Sequence, residues 1–447
     1  MPTLDENTVD ASPTKDFFIY MLIKDIELID AIADLVDNSV DGAKRSRPGE
    51  DFNELWVRLT LSGERFVIDD NCGGMSVDTA RKYAFKFGRP AGIQEVAHSI
   101  GQFGVGMKRA LFKMGKSFKI VSTTDESHFV LEDTIARWRG HPDDWTFKFT
   151  ERIEQADHVP NKERGTTITV ESLYAPVASD LASDRFITKV CNILSSAHQD
   201  SIAKGLSITV NGIPLHAFAL VLQQSDDLIS GYKALSYGQA DEAVNVKLYV
   251  GLDTPNPSEA GWYIFCNGRL ILGADQSNIT GWKEAAQDSL DEPTPQYHNN
   301  FARFRGYAFF DAARSNRLPW NTTKTNVDQD SPIYRSVRQE MITMMLPVIR
   351  FLYKLAQERS KLQDTDEKPL EEAVKIAQPV KLTAIATPTM FHAPKPLTAP
   401  RAPDTGRIQY SKPVAEIDRV KHSLKVRTLR EVGEKTFEYF LRLECGE

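Results

Sequence analysis

The apolar residues near the start of the chain recur at helical spacing. Leu28, Ile32 and Leu35 lie three or four positions apart, so they share one face of a helix. A helix with a continuous apolar face packs that face against a neighbouring element. The pattern predicts a helix from Ile26 to about Lys44 that rests on a sheet.

The other face of this predicted helix is acidic. It carries Asp34, Asn38 and Asp41 in line, and Asp37 lies beside that line. Neighbouring carboxylates repel one another unless a positive charge lies between them, and a divalent cation with oxygen ligands can supply that charge. A solvated acidic face is the alternative, because such faces are common on surface helices.

The apolar period then changes from helical to alternating. Residues 54–60 and 64–70 alternate as two strands joined by a Ser-Gly turn, which predicts a β-hairpin. The second strand ends in DDNCGGM, where Gly73 and Gly74 favour unusual backbone angles. Asp70 is thereby fixed at a strand end, where its carboxylate can accept a hydrogen bond from an amino group of a ligand.

Three glycines precede a second helical pattern in the stretch IGQFGVGMK at 100–108. Backbone N–H groups at such a turn point towards phosphate oxygens, and the helix dipole adds to the attraction. Gly101, Gly104 and Gly106 therefore form a candidate anion site, and a glycine turn before a solvated basic helix is the alternative. Residues 90–99 are a candidate cover over a bound ligand.

Four motifs in this order resemble the ATP-binding domain of the GHKL superfamily, which includes the gyrase B subunit, heat-shock chaperones, sensor histidine kinases and MutL. They are DLVDNSVDG at 34–42, DDNCGGM at 69–75, IGQFGVGMK at 100–108 and GTTITV at 165–170. The resemblance implies an α/β (α+β) fold of the Bergerat type, in which helices form a sandwich with a mixed sheet. It also implies an ATPase that uses ATP and Mg²⁺.

The resemblance assigns roles to individual residues. Asn38 would ligate the magnesium ion, and Asp70 would hold the adenine amino group with support from Thr166. Asp34 would polarise the attacking water, but hydrolysing members have a longer glutamate there, so either the helix sits closer or hydrolysis is slow. Cys72 stands where the superfamily usually has a glycine. The implied ATP contacts are Asn38, Asp70, Gly74, Met75, Gly101, Gln102, Phe103, Gly104, Val105, Gly106, Met107, Lys108 and Thr166.

Strand and helix patterns at 176–360 predict a second α/β domain after an ATP-binding domain at 1–175. FCNGRLIL at 265–272 and LPWNTTKTNVD at 318–328 resemble the transducer domain of MutL-like and MORC-like ATPases, which has a ribosomal protein S5-like fold. In that family a transducer lysine reaches the terminal phosphate, and Lys324 is the matching, catalytic position. A solvated surface lysine is the alternative.

Prolines recur between 361 and 411, which predicts a semi-extended linker. A small helical element is expected at 412–447. Within it, residues 428–443 form an amphipathic pattern with the capping signal Thr428-x-x-Glu431. This helix either folds back on the chain or docks on a protein partner.

Composition limits the partners, the cysteine chemistry and the cellular location that are expected. The 447 residues carry a net charge of -7, which argues against a general nucleic-acid coat but leaves room for a local basic surface. The four cysteines form no CxxC pair, so neither zinc nor disulfides are indicated. The N-terminal residues lack a signal-peptide pattern, and no apolar run is long enough to span a membrane. A cytoplasmic protein is expected.

The resemblance implies an ATPase in which ATP closes a homodimer as a clamp on DNA or on a partner effector. A DNA surface is suggested by Arg303, Arg305, Arg314 and Arg317, which equally fit a solvated face. The alternatives are a nucleotide-gated scaffold with little turnover and a chaperone-like ATPase. A sensor kinase would need a histidine before the ATP domain, and the first histidine is His98. A role in antiviral defence is a hypothesis that the residues do not specify.

Overall fold

The structure, a computed structural model, describes residues 13–24, 26–49, 51–88, 97–101, 104–160, 164–283, 293–361, 367–395 and 408–445. Chain contacts define two compact units, Met1–Pro396 and Leu397–Glu447. The larger unit combines mixed sheets with helices, so the predicted α/β class is confirmed.

The first sheet of the larger unit has eight strands among the described residues. They are β1 Trp56–Leu61, β2 Arg65–Asp70, β3 Gly115–Thr123, β4 His128–Thr134, β5 Phe149–Ile153, β6 Gly165–Leu173, β7 Ser207–Val210 and β8 Ile213–Pro214. Their spatial order is β5-β4-β3-β6-β2-β1-β7-β8. β1 and β2 form the predicted antiparallel hairpin, and β1 also pairs in parallel with β7. The register of β2 against β6 places Asp70 opposite Thr166.

Eight α-helices lie in this part of the chain among the described residues. They are α1 Lys15–Lys24, α2 Leu28–Ser46, α3 Val77–Thr79, α4 Gly106–Met114, α5 Ile135–Arg139, α6 Ala175–Leu181, α7 Asp184–Ala197 and α8 Gln199–Ala203. α2 is the helix that the apolar spacing predicts, and its Ile32 and Val36 are fully buried. α2 and α4 pack against each other, which brings the acidic residues of α2 to the glycine-rich start of α4.

A second sheet follows in the region where the sequence predicts another α/β domain. The strands of this region are β9 Val221–Gln224, β10 Gly231–Tyr237, β11 Val244–Leu252, β12 Gly261–Cys266, β13 Arg269–Asp275, β14 Phe304–Ala312 and β15 Gln378–Lys381. The sheet order is β10-β11-β14-β12-β13, with β12 and β14 parallel. The long helix α9, Pro332–Lys361, packs on β11 and β14. A transducer of S5-like fold stays a prediction.

Part of the segment predicted as a linker, 361–411, is folded. α10, Pro369–Ile376, packs on α9, and β15 pairs antiparallel with β9. Pro369 opens a helix and Pro379 lies on a two-stranded ladder, positions that tolerate a missing N–H. Proline content alone therefore does not separate this folded stretch from a linker. Residues 362–366 and 396–407 lie outside the described residues.

The smaller unit contains α11 Val414–Leu424 and α12 Leu429–Glu444. The predicted capping box is present, because the Thr428 hydroxyl accepts from the Glu431 N–H at 3.2 Å and the Glu431 carboxylate accepts from the Thr428 N–H at 2.9 Å. No described residue of either helix is buried. Phe437 and Phe440 are exposed on α12, and the docking role of this helix stays a prediction.

Candidate functional site

One cavity of about 430 Å³ collects the residues that the sequence predicts for the site. Its lining includes all of them that the structure describes: Asp34, Asn38, Asp70, Gly74, Met75, Gly101, Gly104, Val105, Gly106, Met107, Lys108, Thr166 and Lys324. Gln102, Phe103 and residues 90–96 of the predicted cover lie outside the described residues. The fold therefore gathers residues from distant parts of the chain around one space.

Asp70 is held at the cavity wall by hydrogen bonds. Its Oδ2 accepts from the Ser39 hydroxyl at 2.7 Å, and its Oδ1 accepts from the N–H groups of Cys72 at 2.9 Å and Thr166 at 3.3 Å. The Thr166 hydroxyl lies 2.8 Å from the Ser122 hydroxyl. Burial raises the pKa of Asp70, and the three donors oppose that rise because they stabilise the carboxylate. Ser39, Asp70, Ser122 and Thr166 are here named the Asp70 group.

The turn after β2 depends on its glycines. Gly73 and Gly74 have φ of +91° and +71°, a backbone region that residues with a side chain rarely adopt. A Cβ on Gly74 would lie 2.2 Å from the carbonyl oxygen of Thr123. Cys72 is buried in the same turn, and burial raises the pKa of its thiol. Because its N–H still reaches Asp70, a cysteine at this position keeps the turn that carries the carboxylate.

Asp41 fixes the start of the glycine-rich segment. Its two oxygens accept from the N–H groups of Ile100 and Gly101, each at 2.7 Å. A Cβ on Gly101 would lie 3.1 Å from Asp41 Oδ2 and 3.8 Å from Asn38 Oδ1. Glycine at 101 therefore leaves space beside the exposed amide of Asn38.

Asp34 and Asp37 of α2 are buried against cationic side chains. Lys324 Nζ lies 2.7 Å from Asp37 Oδ2 and 3.1 Å from Asp34 Oδ1. Arg109 lies 2.6 Å from Asp34, and Arg269 lies 2.9 Å from Asp37. The alternative of a solvated face is therefore wrong for Asp34 and Asp37, because side chains from other segments supply positive charge beside them. The magnesium site at Asn38 stays a prediction. Among the described residues, no group of three or more His, Cys, Asp or Glu side chains is placed to hold a metal ion.

These five residues are here named the Lys324 group: Asp34, Asp37, Arg109, Arg269 and Lys324. Their side chains are at most 10% exposed, so the ion pairs are desolvated. Burial favours the neutral form of Asp37, but Arg269 and Lys324 outweigh it and lower its pKa to about 2. Burial also opposes the charge of Lys324, but Asp34 and Asp37 raise its pKa. Both groups are therefore charged at neutral pH.

His198 completes the surroundings of Asp37. Its Nε2 lies 3.6 Å from Asp37 Oδ1. Burial, and after it the charge of Arg269, lower the pKa of His198 to about 3. The ring is therefore neutral at physiological pH, and Arg269 and Lys324 are the charged partners of Asp37.

Polar neighbours build the turn that presents Lys324. Its φ is +55°, and its N–H donates to the Asn321 carbonyl at 3.1 Å. Asn321 Oδ1 accepts from the N–H groups of Thr325 at 3.0 Å and Asn326 at 3.3 Å. The Lys324 side chain is only 6% exposed, so the alternative of a solvated lysine is wrong.

Lys108 is buried against the segment that follows α3. Its Nζ donates to the carbonyls of Ala84 and Lys86, each at 2.7 Å. Burial lowers the pKa of Lys108 to about 7. An ammonium group has three N–H donors, so the protonated side chain retains one for a ligand in the cavity.

Sequence reasoning missed several residues of the site. Ser39 follows Asn38 directly in the motif at 34–42, and Arg269 lies inside the stretch at 265–272, so both had a local signal. Arg109 stands beside Lys108, and nothing in the sequence shows that it pairs with Asp34. Ser122 has no sequence signal, because its role depends on the pairing of β3 with β6.

The proposed DNA surface loses one of its arginines. Arg305 is 2% exposed, and its guanidinium donates to three backbone carbonyls and pairs with Glu259 at 3.2 Å. A buried and paired arginine cannot contact a DNA backbone. Arg314 and Arg317 are exposed, and Arg314 pairs with Glu242 at 3.4 Å.

Residues 26–166 match the family model of the histidine kinase-, DNA gyrase B-, and HSP90-like ATPases. The match covers the Asp70 group, Asp34 and the glycine-rich segment, and it supports the GHKL superfamily for this part of the chain. It ends before Arg269 and Lys324, so MutL-like or MORC-like character stays a prediction. No curated protein matches the chain. Among the described helices, none has the length and hydropathy needed to cross a membrane.

Proposed function

We propose that the chain binds ATP with Mg²⁺ in this cavity and hydrolyses it slowly. The observation that supports this proposal most strongly is that the predicted site residues, as far as the structure describes them, line a single cavity. Most of them lie within the family-matched segment. The cavity volume, about 430 Å³, falls in the range of small-molecule sites. Asp70 would accept a hydrogen bond from the adenine amino group, and the glycine-rich segment would donate to the phosphates.

Asn38 would hold the magnesium ion together with the phosphates. Mg²⁺ keeps several waters and commonly takes one or two protein ligands beside substrate phosphates. The carboxylates of Asp34 and Asp41 are engaged with side chains and backbone N–H groups. This donor set fits an ion that phosphates bring with them, and it does not fit an independent metal site. Bound Mg²⁺ would neutralise part of the phosphate charge.

Asp34 is the candidate group for orienting the attacking water. Its Oδ2 already accepts from Arg109, and its Oδ1 from Lys324. An ionised carboxylate has about four acceptor sites, so Asp34 retains room for a water O–H. The same ion pairs favour the alternative of a nucleotide-gated scaffold with little turnover. The turnover rate of the parent protein, measured as released phosphate, separates the two.

Calorimetry with MgATP tests the proposed site. We expect Asp70→Asn to weaken binding by about 10- to 100-fold, because the lost hydrogen bond involves a charged acceptor. Asp69→Asn is the matched control, since Asp69 accepts from Thr167 and its side chain does not line the cavity. Equal affinity of the parent and Asp70→Asn would contradict the adenine assignment.

ATP-driven dimer closure is the further part of the proposal. α1 exposes Phe17, Tyr20 and Met21 at helical spacing, a surface that a second copy of the ATP-binding domain could cover. The Lys15 ammonium donates to the carbonyls of Trp138, His141 and Asp144 at 2.6 to 2.7 Å. This anchor favours dimerisation through the exposed face of α1 over exchange of the whole segment 1–20, of which residues 1–12 lie outside the described residues. The resemblance implies that such a dimer would close around DNA or a partner effector.

A further inference from the structure

Lys324 is shared between two carboxylates that each have a second cation. Its Nζ contacts Asp34 Oδ1 at 3.1 Å and Asp37 Oδ2 at 2.7 Å. Arg109 contacts the other oxygen of Asp34, and Arg269 contacts the other oxygen of Asp37. Within the Lys324 group, only Lys324 bridges both acids.

This sharing makes Lys324 the cation that can leave. Removing one partner of a buried ion pair is costly because it leaves an uncompensated charge. If Lys324 moves away, Asp34 keeps Arg109 and Asp37 keeps Arg269, so neither carboxylate is left without a cation. If either arginine moved away instead, its carboxylate would keep only the lysine that it shares with the other acid.

Of the side chains that contact Asp37, Lys324 is the one that lines the cavity. Lys324 and Thr322 line the cavity, whereas Asp37 is fully buried and does not line it. A nucleotide in the cavity therefore meets Lys324 and not Asp37. The role of Asp37 towards a nucleotide would be that of a positioning residue.

We propose that Asp37 sets how strongly the site distinguishes ATP from ADP, by competing with the terminal phosphate for Lys324. The inference rests on the proposed function, in which that phosphate lies within reach of the lysine. ATP gains the Lys324 contact only by drawing the lysine from its carboxylates, and ADP makes no such demand. A ligand shifts an equilibrium only by its difference in affinity for the two positions, so a weaker hold on Lys324 increases the preference for ATP.

Arg269 provides a change of opposite sign. It competes with Lys324 for Asp37, since both cations contact the same carboxylate. In Arg269→Gln, Lys324 becomes the only charged partner of Asp37, because His198 is neutral. The lysine is then held more tightly, and the preference for ATP falls.

The test is calorimetry of the full chain with Mg²⁺ and either ADP or a non-hydrolysable ATP analogue. The measured quantity is the Kd for ADP divided by the Kd for the analogue. We expect Asp37→Asn to raise this ratio about tenfold, within the usual range of coupling between sites. Arg269→Gln should lower the ratio. Lys324→Met should lower it to the value of a site in which no lysine contacts the terminal phosphate. In the Lys324→Met background, Asp37→Asn should leave the ratio unchanged.

Asp30→Asn is the matched control, because Asp30 lies on the same helix, does not line the cavity and makes no ion pair with Lys324. Thermal melting checks that each variant is folded. If Asp37→Asn alone unfolds, the double variant Asp37→Asn/Arg269→Gln takes its place, because it removes one charge of each sign. That double variant should also raise the ratio.

The outcomes separate the inference from the proposed function. A merely structural role for Asp37 would weaken both nucleotides equally and leave the ratio unchanged, which would overturn the inference alone. A change in the same direction for Asp37→Asn and Arg269→Gln would overturn it too. A parent chain that binds neither nucleotide would overturn the proposed function, and this inference with it.

Discussion

The Asp70 group and the Lys324 group line or support the same cavity, but they are built from different interactions. In the Asp70 group, hydroxyl and backbone N–H donors fix one carboxylate, and all of its residues lie within the family-matched segment. In the Lys324 group, buried opposite charges meet from segments up to 290 residues apart. The first arrangement is one carboxylate fixed by neutral donors, whereas the second is a set of buried ion pairs, which we propose that the terminal phosphate rearranges.

We expect this difference to separate the binding of a nucleotide from the response to its terminal phosphate. The Asp70 carboxylate, held by its donors, would accept from the adenine amino group, a part that ATP and ADP have in common. Charges in the Lys324 group would meet the terminal phosphate that only ATP has. Substitutions in the first group should therefore change the affinity for both nucleotides, and substitutions in the second should change turnover or the difference between nucleotides.

The largest expected effect is on turnover. Asp34→Asn should reduce phosphate release by about 10²- to 10⁴-fold, the usual contribution of a positioned base, while ATP still binds. A coupled phosphate assay measures the rate, and calorimetry measures the binding. Asp34→Glu restores the length found in hydrolysing members of the superfamily, and faster turnover in that variant would show that the short side chain limits the rate. A parent-like rate in Asp34→Asn would place the base elsewhere.

The next effect concerns assembly. With a non-hydrolysable ATP analogue, the parent should form a larger or more compact species than with ADP, because Lys324 can contact the terminal phosphate only in the ATP state. Lys324→Ala should remove this difference and leave the affinity for ADP intact. Sedimentation and small-angle scattering measure mass and shape. The same mass and shape of the parent with both nucleotides would exclude the clamp and leave the nucleotide-gated scaffold.

A pH dependence distinguishes Lys108 from both groups. Burial lowers its pKa to about 7, so the side chain is an ammonium group below that pH and an amine above it. The amine has two N–H donors, which the carbonyls of Ala84 and Lys86 can occupy. ATP affinity should therefore be highest below pH 7 and fall as the pH rises through 7, by at most about tenfold per unit.

Titrations from pH 6 to 8.5 measure this dependence, and Lys108→Met should flatten it. Lys113→Met is the matched control, because Lys113 lies on the same helix, donates to the carbonyl of Ile23 and does not line the cavity. A flat profile in the parent would remove Lys108 from the phosphate contacts.

The smallest expected effect is at Ser39. Ser39→Ala removes one donor to Asp70 and should weaken ATP and ADP equally, by about 0.5–1.5 kcal/mol. Thr167→Val is the control, since that hydroxyl donates to Asp69 at 2.5 Å and does not line the cavity. A change for ATP alone would contradict the separation of the two groups.

Sequence patterns predicted the features that depend on neighbouring residues. The apolar spacing of α2, the hairpin of β1 and β2, and the Thr428 capping box all follow from residues a few positions apart, and the structure has each of them. The resemblance named residues that do line one cavity.

Long-range charge pairing could not be predicted in the same way. Three aspartates on one helix face look the same in the sequence whether water, a metal ion or distant cations face them. Lys324 and Arg269 compensate Asp37 only because segments about 230 to 290 residues further along the chain fold against α2. The folded stretch at 369–381 escaped prediction for a similar reason, since β15 is stabilised by pairing with a strand far from it in the sequence.

A crystal structure with Mg²⁺ and a non-hydrolysable ATP analogue tests the central claim most directly. We expect the adenine amino group about 3 Å from the Asp70 carboxylate, within hydrogen-bond distance. We also expect Lys324 Nζ to contact the terminal phosphate, with Asp37 still paired with Arg269. A nucleotide bound in the opposite direction, or a Lys324 still held between Asp34 and Asp37 beside a bound triphosphate, would contradict the proposed site.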